Sequence, residues 1–309
     1  MKTYFTLLLI FLFTFFSCKK HDSQPEKEPT VYIVGIIEGN NTLWVNNIPE
    51  SIDIDPSSVY VNGEDVYIAG IKTGKPCYTK NGVITYLADN NGSANSIFVN
   101  NNNIYVGGRK NLIATIWNND VATELTSNSS VVYDIFVKDN TVYAVGNEKI
   151  DGITKARAWQ NGVPETLSDI NFSFARSVFV DDDNNVYYIW KGEGVSHLVK
   201  NGTEIFTESN ADFRSVFVEN GDVYVAGTYN NGSEYVASYW KNNIRIDLTD
   251  GTAPSYVDGF FVKNGDVYVI GSKELDNGNQ DFILWKNGTT TVISPNVTLS
   301  SYLESIFVK

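Results

Sequence analysis

One phrase recurs along this chain six times in full and once more split between its two ends. It runs Ser or Asp, Val or Ile, an aromatic and Val, then a short polar turn, then Val-Tyr-Val and Gly. Copies include SVYVNGEDVYIAG from Ser58, SIFVNNNNIYVGG from Ser96 and DIFVKDNTVYAVG from Asp134. Later ones are SVFVDDDNNVYYIW from Ser177, SVFVENGDVYVAG from Ser215 and FFVKNGDVYVIG from Phe260. The aromatic falls at Tyr60, Phe98, Phe136, Phe179, Phe217, Phe261 and Phe307, spaced 38 to 46 residues apart. Self-similarity at this period means one supersecondary unit stacked many times.

Each unit holds four strand signals. The two halves of the phrase are strands joined by Asn/Gly/Asp turns such as Asn220-Gly221-Asp222, residue types that tolerate the positive φ of a tight hairpin. A third strand ends in a Trp-containing run, as at Trp44, Trp117, Trp159, Trp240 and Trp285, with a weaker YTKNG form from Tyr78. After its turn comes a fourth strand, usually ending in Leu (Leu87, Leu125, Leu167, Leu248). Four antiparallel strands in about 40 residues make the blade of a β-propeller. The first two strands are apolar at successive positions, the mark of burial on both faces. The expected fold is therefore all-β: a seven-bladed propeller of four-stranded antiparallel blades.

The two ends are out of step. Residues 31–35 form a second strand with no first strand before it, and residues 304–308 form a first strand with nothing after it. Pairing them in one blade would close the ring and remove a free edge. A count of six or eight blades requires one copy to be misread; the weakest is the one from Ser177, where Tyr188-Ile189-Trp190 replaces the usual ending.

The N-terminus reads as a targeting segment, with Lys2 followed by a predominantly apolar run over residues 4–16. That run is shorter than the roughly 20 residues a membrane span needs. It ends in Phe15-Phe16-Ser17-Cys18-Lys19-Lys20. This resembles the lipobox of bacterial lipoproteins, in its looser Bacteroidota-type form; Phe15 stands where Leu is commonest and Phe16 where a small residue is usual. The resemblance implies a signal peptide over residues 1–17 and a diacylglycerol on Cys18. Residues 18–30 would be a flexible tether, polar and Pro-containing, and residues 31–309 the propeller. The implied location is the cell envelope, as an outer-membrane lipoprotein facing periplasm or surface. Cys77 would then lack a disulfide partner and serve as a small buried hydrophobe. The repeat itself resembles secreted β-propeller lipoproteins and short extracellular repeats built on W-x-N-G, as in residues 156–167. That resemblance is specific for architecture rather than activity.

The chain has 309 residues, a net charge of -13 and no basic stripe, which argues against a nucleic-acid partner. Its two histidines, His21 and His197, form no cluster, and neither a nucleophile elbow nor a metal-binding helix motif occurs. No cofactor or metal is expected, and a monomer is. The run from Asp181 to Asn185 occupies a hairpin-turn position and lacks the Gly and distal Glu of a calcium loop.

Function must then lie where the repeat varies. Three residues before the aromatic stand Ser57, Asn95, Tyr133, Arg176, Arg214, Asp258 and Glu304. This polar ring differs from blade to blade and is read as the channel mouth, with Tyr133, Arg176, Arg214, Asp258 and Glu304 as the candidate ligand site. The next position is Ser in five copies and Asp134 in a sixth, a regularity that suggests a structural role. The phased tryptophans are expected to pack between blades. Trp190, out of phase with them, is the candidate for an exposed stacking residue. The reading is a binding or interaction module for a glycan or protein ligand. The alternative is a glycan-active enzyme or accessory with carboxylates at the channel mouth.

Overall fold

The computed structural model describes residues 28–309. The expected signal peptide, Cys18 and most of the tether lie outside the described residues. The described chain forms 28 strands in seven four-stranded antiparallel sheets arranged as a ring. Within each blade the strands are lettered a to d from the axis outward. Blade 1 takes strand a from the C-terminus (Tyr302–Val308) and strands b to d from the N-terminus (Val31–Ile37, Asn40–Val45, Ile48–Ser51). Blades 2 to 7 follow at residues 55–86, 92–124, 130–166, 174–209, 211–247 and 255–297.

The out-of-step ends do pair. Val31 faces Val308 and Tyr32 faces Phe307 in an antiparallel ladder, and Thr30 and Lys309 exchange both backbone hydrogen bonds at 2.9 Å beyond it. All seven aromatics of the repeat meet around the axis. Neighbouring ring centroids stand 4.6 to 5.3 Å apart, from Tyr60 through Phe98, Phe136, Phe179, Phe217 and Phe261 to Phe307 and back to Tyr60. Such tilted pairs contribute about 0.5–1.5 kcal/mol each beyond area burial. The aromatics thus tie inner strand to inner strand around the channel.

The core is divided among the seven gaps between blades. One cluster joins Tyr105, Ala114 and Ile116 of blade 3 to Val132, Ile135 and Trp159 of blade 4. Each phased Trp is sealed in such a gap against the preceding blade, at 0–1% exposure. Trp117 also donates its indole N–H to the Leu87 carbonyl of blade 2 at 3.1 Å. Cys77 is fully buried in the gap between blades 1 and 2.

The Asn of the W-x-N turn does more than permit a bend. Asn161, at φ 49°, donates its N–H to the Val142 carbonyl at 2.8 Å and accepts the Val142 N–H through Oδ1 at 2.9 Å. The equivalent pair forms in all seven blades, at Asn46, Asn81, Asn119, Asn161, Asn201, Asn242 and Asn287. A side-chain amide thereby extends the b–c ladder past the turn and satisfies a backbone group that would otherwise end unpaired.

Candidate functional site

Period-two geometry sends alternate side chains of a strand to opposite faces. In each strand a, the aromatic and the residue two before it (Ser in five blades, Asp134 in blade 4, Gly259 in blade 7) face the channel, while the residue between them is turned into the gap between blades. Val59, Ile97, Ile135, Val178, Val216, Phe260 and Ile306 occupy that intermediate position, all buried. Simple alternation would bury the next residue back as well. It does not, because every strand a carries a β-bulge there. The residues left out of the ladder are Glu304, Ser57, Asn95, Tyr133, Arg176, Arg214 and Asp258, in blades 1 to 7 in order. A bulge re-aims the extra side chain, and here it turns seven of them into one cavity.

The bulge explains the Gly that ends the phrase. Gly146 of strand b lies opposite the bulge of blade 4, and a Cβ there would overlap the Val131 carbonyl oxygen. The same close approach occurs at Gly35, Gly70, Gly108, Gly227 and Gly271.

The Ser layer links blade to blade, as its regularity suggested. Ser305 Oγ accepts the Val59 N–H at 3.3 Å, Ser58 the Ile97 N–H at 3.4 Å, and Ser96 the Ile135 N–H at 3.3 Å. In blade 4 the position is Asp134, which accepts from Ser96 Oγ at 2.9 Å and from the Val178 N–H at 3.0 Å. Burial nevertheless raises the pKa of its carboxyl, against the pull of those donors.

Above this layer the mouth encloses a cavity of about 570 Å³ lined by all seven bulged residues. Its charges are unevenly distributed. Asp212, two residues before Arg214, draws three cations toward one carboxylate: Lys191 Nζ at 3.2 Å, Arg176 Nη2 at 3.6 Å and Arg214 Nε at 3.5 Å. The Arg214 contact is at ion-pair distance without hydrogen-bond alignment. The Arg176 guanidinium also lies over the Phe174 ring, 4.7 Å from its centroid. Burial and the like charge of Arg214 hold the Arg176 pKa below the usual guanidinium value. Tyr133, 40% exposed at the rim, accepts a hydrogen bond on its hydroxyl from the Asn147 amide at 3.2 Å.

Next around the ring come Asp258 and Glu304. Burial pushes Asp258 up to about 6, with Arg214 pulling the other way. Glu304 is reached by solvent but recessed in the mouth. Its desolvation, then the charge of Asp258, lift it to about 7, again opposed by Arg214. Both carboxyls hold their protons more tightly in the folded chain than in an unfolded one, where they titrate near about 4. Folding therefore loses stability as pH rises from about 4 through 7. The Asp258→Asn, Glu304→Gln double variant is expected to melt several degrees above the parent at pH 8 and much closer to it at pH 4.5. Thermal scans at both values check this; an equal shift at both would assign the gain to something other than ionisation.

The structure thus brings together the five expected ligand residues, and it adds Asp212, Lys191 and Phe174. Asp212 and Phe174 share one register position, five residues before the aromatic. That position holds Asp55, Ser93, Val131, Phe174, Asp212, Tyr256 and Tyr302, and its variability was readable by carrying the repeat alignment two residues further.

Trp190 is a correction. It is 7% exposed, not a free stacking platform. One ring face is covered by His197, with centroids 3.7 Å apart and planes 3° from parallel. The indole fills the gap between blades 4 and 5 beside Tyr143, Ala158 and Tyr188. The reason is compensation within blade 5. Its strand c has Val199 where five other blades have Trp, so Tyr188 and Trp190 of strand b supply the missing bulk. The run from Asp181 to Asn185 is a self-satisfied turn, in which Asp181 accepts the Asn185 N–H at 2.8 Å and the Tyr187 hydroxyl at 3.0 Å. Among the described residues no group of three or more His, Cys, Asp or Glu side chains is placed to hold a metal ion.

No family model matches the chain, and no curated protein is significantly similar to it. Solved structures are. The β-propeller domain of the Trilobed protease from Pyrococcus furiosus, described as having an open velcro topology, superposes with a TM-score of 0.57 at 11% identity, covering 88% of this chain and 93% of that one. A catalytically inactive virginiamycin B lyase from Staphylococcus aureus, solved with quinupristin, gives 0.53 at 13% identity over 79% and 93%. A puromycin-hydrolyzing peptidase from Mycobacterium tuberculosis gives 0.53 at 10% identity over 78% of this chain and 46% of that one, so this chain spans about half the peptidase's length. At such identities the likeness establishes the propeller fold alone.

Proposed function

We propose that this chain is a lipid-anchored propeller of the cell envelope whose channel mouth binds a ligand, a glycan or a segment of protein. One observation carries the binding role. Packing, capping and blade-to-blade bonding absorb nearly every regular position of the repeat, while the seven bulged positions vary in chemistry and converge on one polar cavity. Cavities of this size are typical of small-ligand sites. A bulge and a steric demand for Gly in six blades are a large structural investment for side chains that stabilise little.

The anchor rests on the lipobox-like FFSCKK at Cys18. The register is compatible with it. Strand a of blade 1 runs from the mouth at Glu304 to Val308, and Val31 pairs with Val308. Thr30, which exchanges backbone hydrogen bonds with Lys309, therefore lies on the face opposite the mouth. A lipid on Cys18 would hold that far face toward the membrane and present the mouth outward.

The alternative, a glycan-active enzyme, draws support from Asp258 and Glu304, whose raised pKa values suit general acid–base work near neutrality. Calorimetric titration against a panel of oligosaccharides and short peptides, with product analysis of the same mixtures, separates the readings. A binding module is expected to bind a panel member without turnover and to lose that affinity in Tyr133→Ala. Hydrolysis abolished by Asp258→Asn in a chain that still folds would replace it with the enzyme. Labelled palmitate should enter the parent and not Cys18→Ala; incorporation that survives the substitution would remove the anchor.

A further inference from the structure

The distal end of the channel and its surroundings show what a satisfied rim looks like in this fold. There Lys80 pairs with Asp65 at 2.7 Å, Lys241 with Asp222 at 2.7 Å and Lys286 with Asp266 at 3.2 Å. Glu219 accepts the N–H groups of Asn264 and Gly265, and Asp181 is closed by its own turn. Each of these charges has a near partner of opposite sign or a hydrogen bond.

The mouth is different on both sides of its ring. On one side Arg176, Arg214 and Lys191 share the single carboxylate of Asp212. Three positive charges against one leave a local cationic excess. Arg176 is also held in place by its stacking on Phe174, so its fork is oriented before a ligand arrives. On the other side Asp258 and Glu304 make no hydrogen bond or ion pair with any described residue, although Asp134, one layer below, accepts from several donors. Arg214 acts on both carboxyls electrostatically, yet among the described residues no cation stands within 4 Å of either. The cationic pair and the open carboxyl pair are neighbours, in blades 5 and 6 and in blades 7 and 1. The rest of the ring, Ser57, Asn95 and Tyr133, is neutral and rich in hydrogen-bonding groups.

We propose that the mouth takes a carboxylate-bearing saccharide, with its acid group on Arg176 and Arg214 and its hydroxyls on Asp258 and Glu304. This rests on the reading of the mouth as a binding site. Arginine matches a carboxylate with two parallel N–H donors. Sugar hydroxyls supply the donors that the two open carboxyl groups lack, and Ser57 and Asn95 suit further hydroxyls. A phosphate would also suit the arginines, but it concentrates both of its charges on the one group they hold, beside Asp258 and Glu304, whereas a uronate carries a single charge per sugar. A peptide side chain would look for an apolar pocket that this serine-lined cavity does not provide. Glu304, lifted to about 7, can also donate a proton to a sugar oxygen near neutrality, whereas Asp258, lifted to about 6, is mostly ionised there and accepts.

The test is calorimetric titration of the folded chain at pH 7 with four probes: digalacturonate, its dimethyl ester, glucose 6-phosphate and trialanine. Digalacturonate is expected to bind about tenfold or more tightly than the ester. Arg176→Gln and Arg214→Gln should erase that preference, and melting curves should show that both variants still fold. Equal affinity for acid and ester, preference for the phosphate or the tripeptide, or no binding of digalacturonate would each overturn the acidic-saccharide proposal. A preference for the acid that survives both arginine substitutions would instead overturn the placement of binding at the mouth, so the two failures are distinguishable.

Discussion

Deleting residues 302–309 is expected to abolish cooperative folding. This strand is the innermost of blade 1, and without it Val31–Ile37 becomes an unpaired inner edge. Leu303, Ile306 and Val308 are buried at 3%, 6% and 1% exposure, and each such side chain contributes about 1.5–3 kcal/mol on burial. Phe307 drops out of the axial ring between Tyr60 and Phe261, and the Val59 N–H loses its bond to Ser305. These losses together are comparable with the roughly 5–15 kcal/mol that holds a typical folded protein together. Thermal denaturation followed by circular dichroism should show no sharp transition for the truncated chain. A truncated chain melting within a few degrees of the parent would mean that the ring does not need its closing strand.

Gly146→Ala should be the most damaging conservative change near the site. The added methyl meets the Val131 carbonyl oxygen of the neighbouring strand, which is backbone and cannot rotate away. Relief requires strand a of blade 4 to move off or its bulge to be ironed out. Overpacking of this kind costs about 1–3 kcal/mol and sometimes more. Removing the bulge would also slip the strand by one residue and turn Tyr133 from the mouth toward the gap between blades. Denaturant unfolding is therefore expected to show a clearly lower midpoint, together with weaker binding at the mouth. An unchanged midpoint would contradict the link between the glycine and the bulge. Blade 5 carries Trp190 at the equivalent position, paired with Ala175 beside its own bulge.

The architecture was legible in the sequence because a blade cannot bury its faces alone, so the requirement for stacking is written into every copy. Even the ring closure could be read, from a second strand without a first at one end and the reverse at the other. The identity of the mouth residues was legible from their variability at one register position. Its cause was not. Strict alternation would have sent Arg176 and Asp258 between blades, and only the bulges, which leave no residue signature of their own beyond the opposing Gly, direct them to the channel. Asp212 stands two residues before the bulged position, where the repeat varies again. Being out of phase with the other tryptophans does not expose Trp190, which is buried. The structure shows a large side chain standing in for the Trp absent at Val199 in the same blade. The charge imbalance around Asp212 lay beyond the sequence, since Lys191 comes from strand b and reaches the ring only through the sheet's own pairing.

The most direct test of the mouth as the working end of the molecule is a crystal structure grown with digalacturonate. Density bridging the Arg176–Arg214 pair and the Asp258–Glu304 pair is the expected result. Density at the distal turns or between outer strands, with the seven bulged residues untouched, would contradict it.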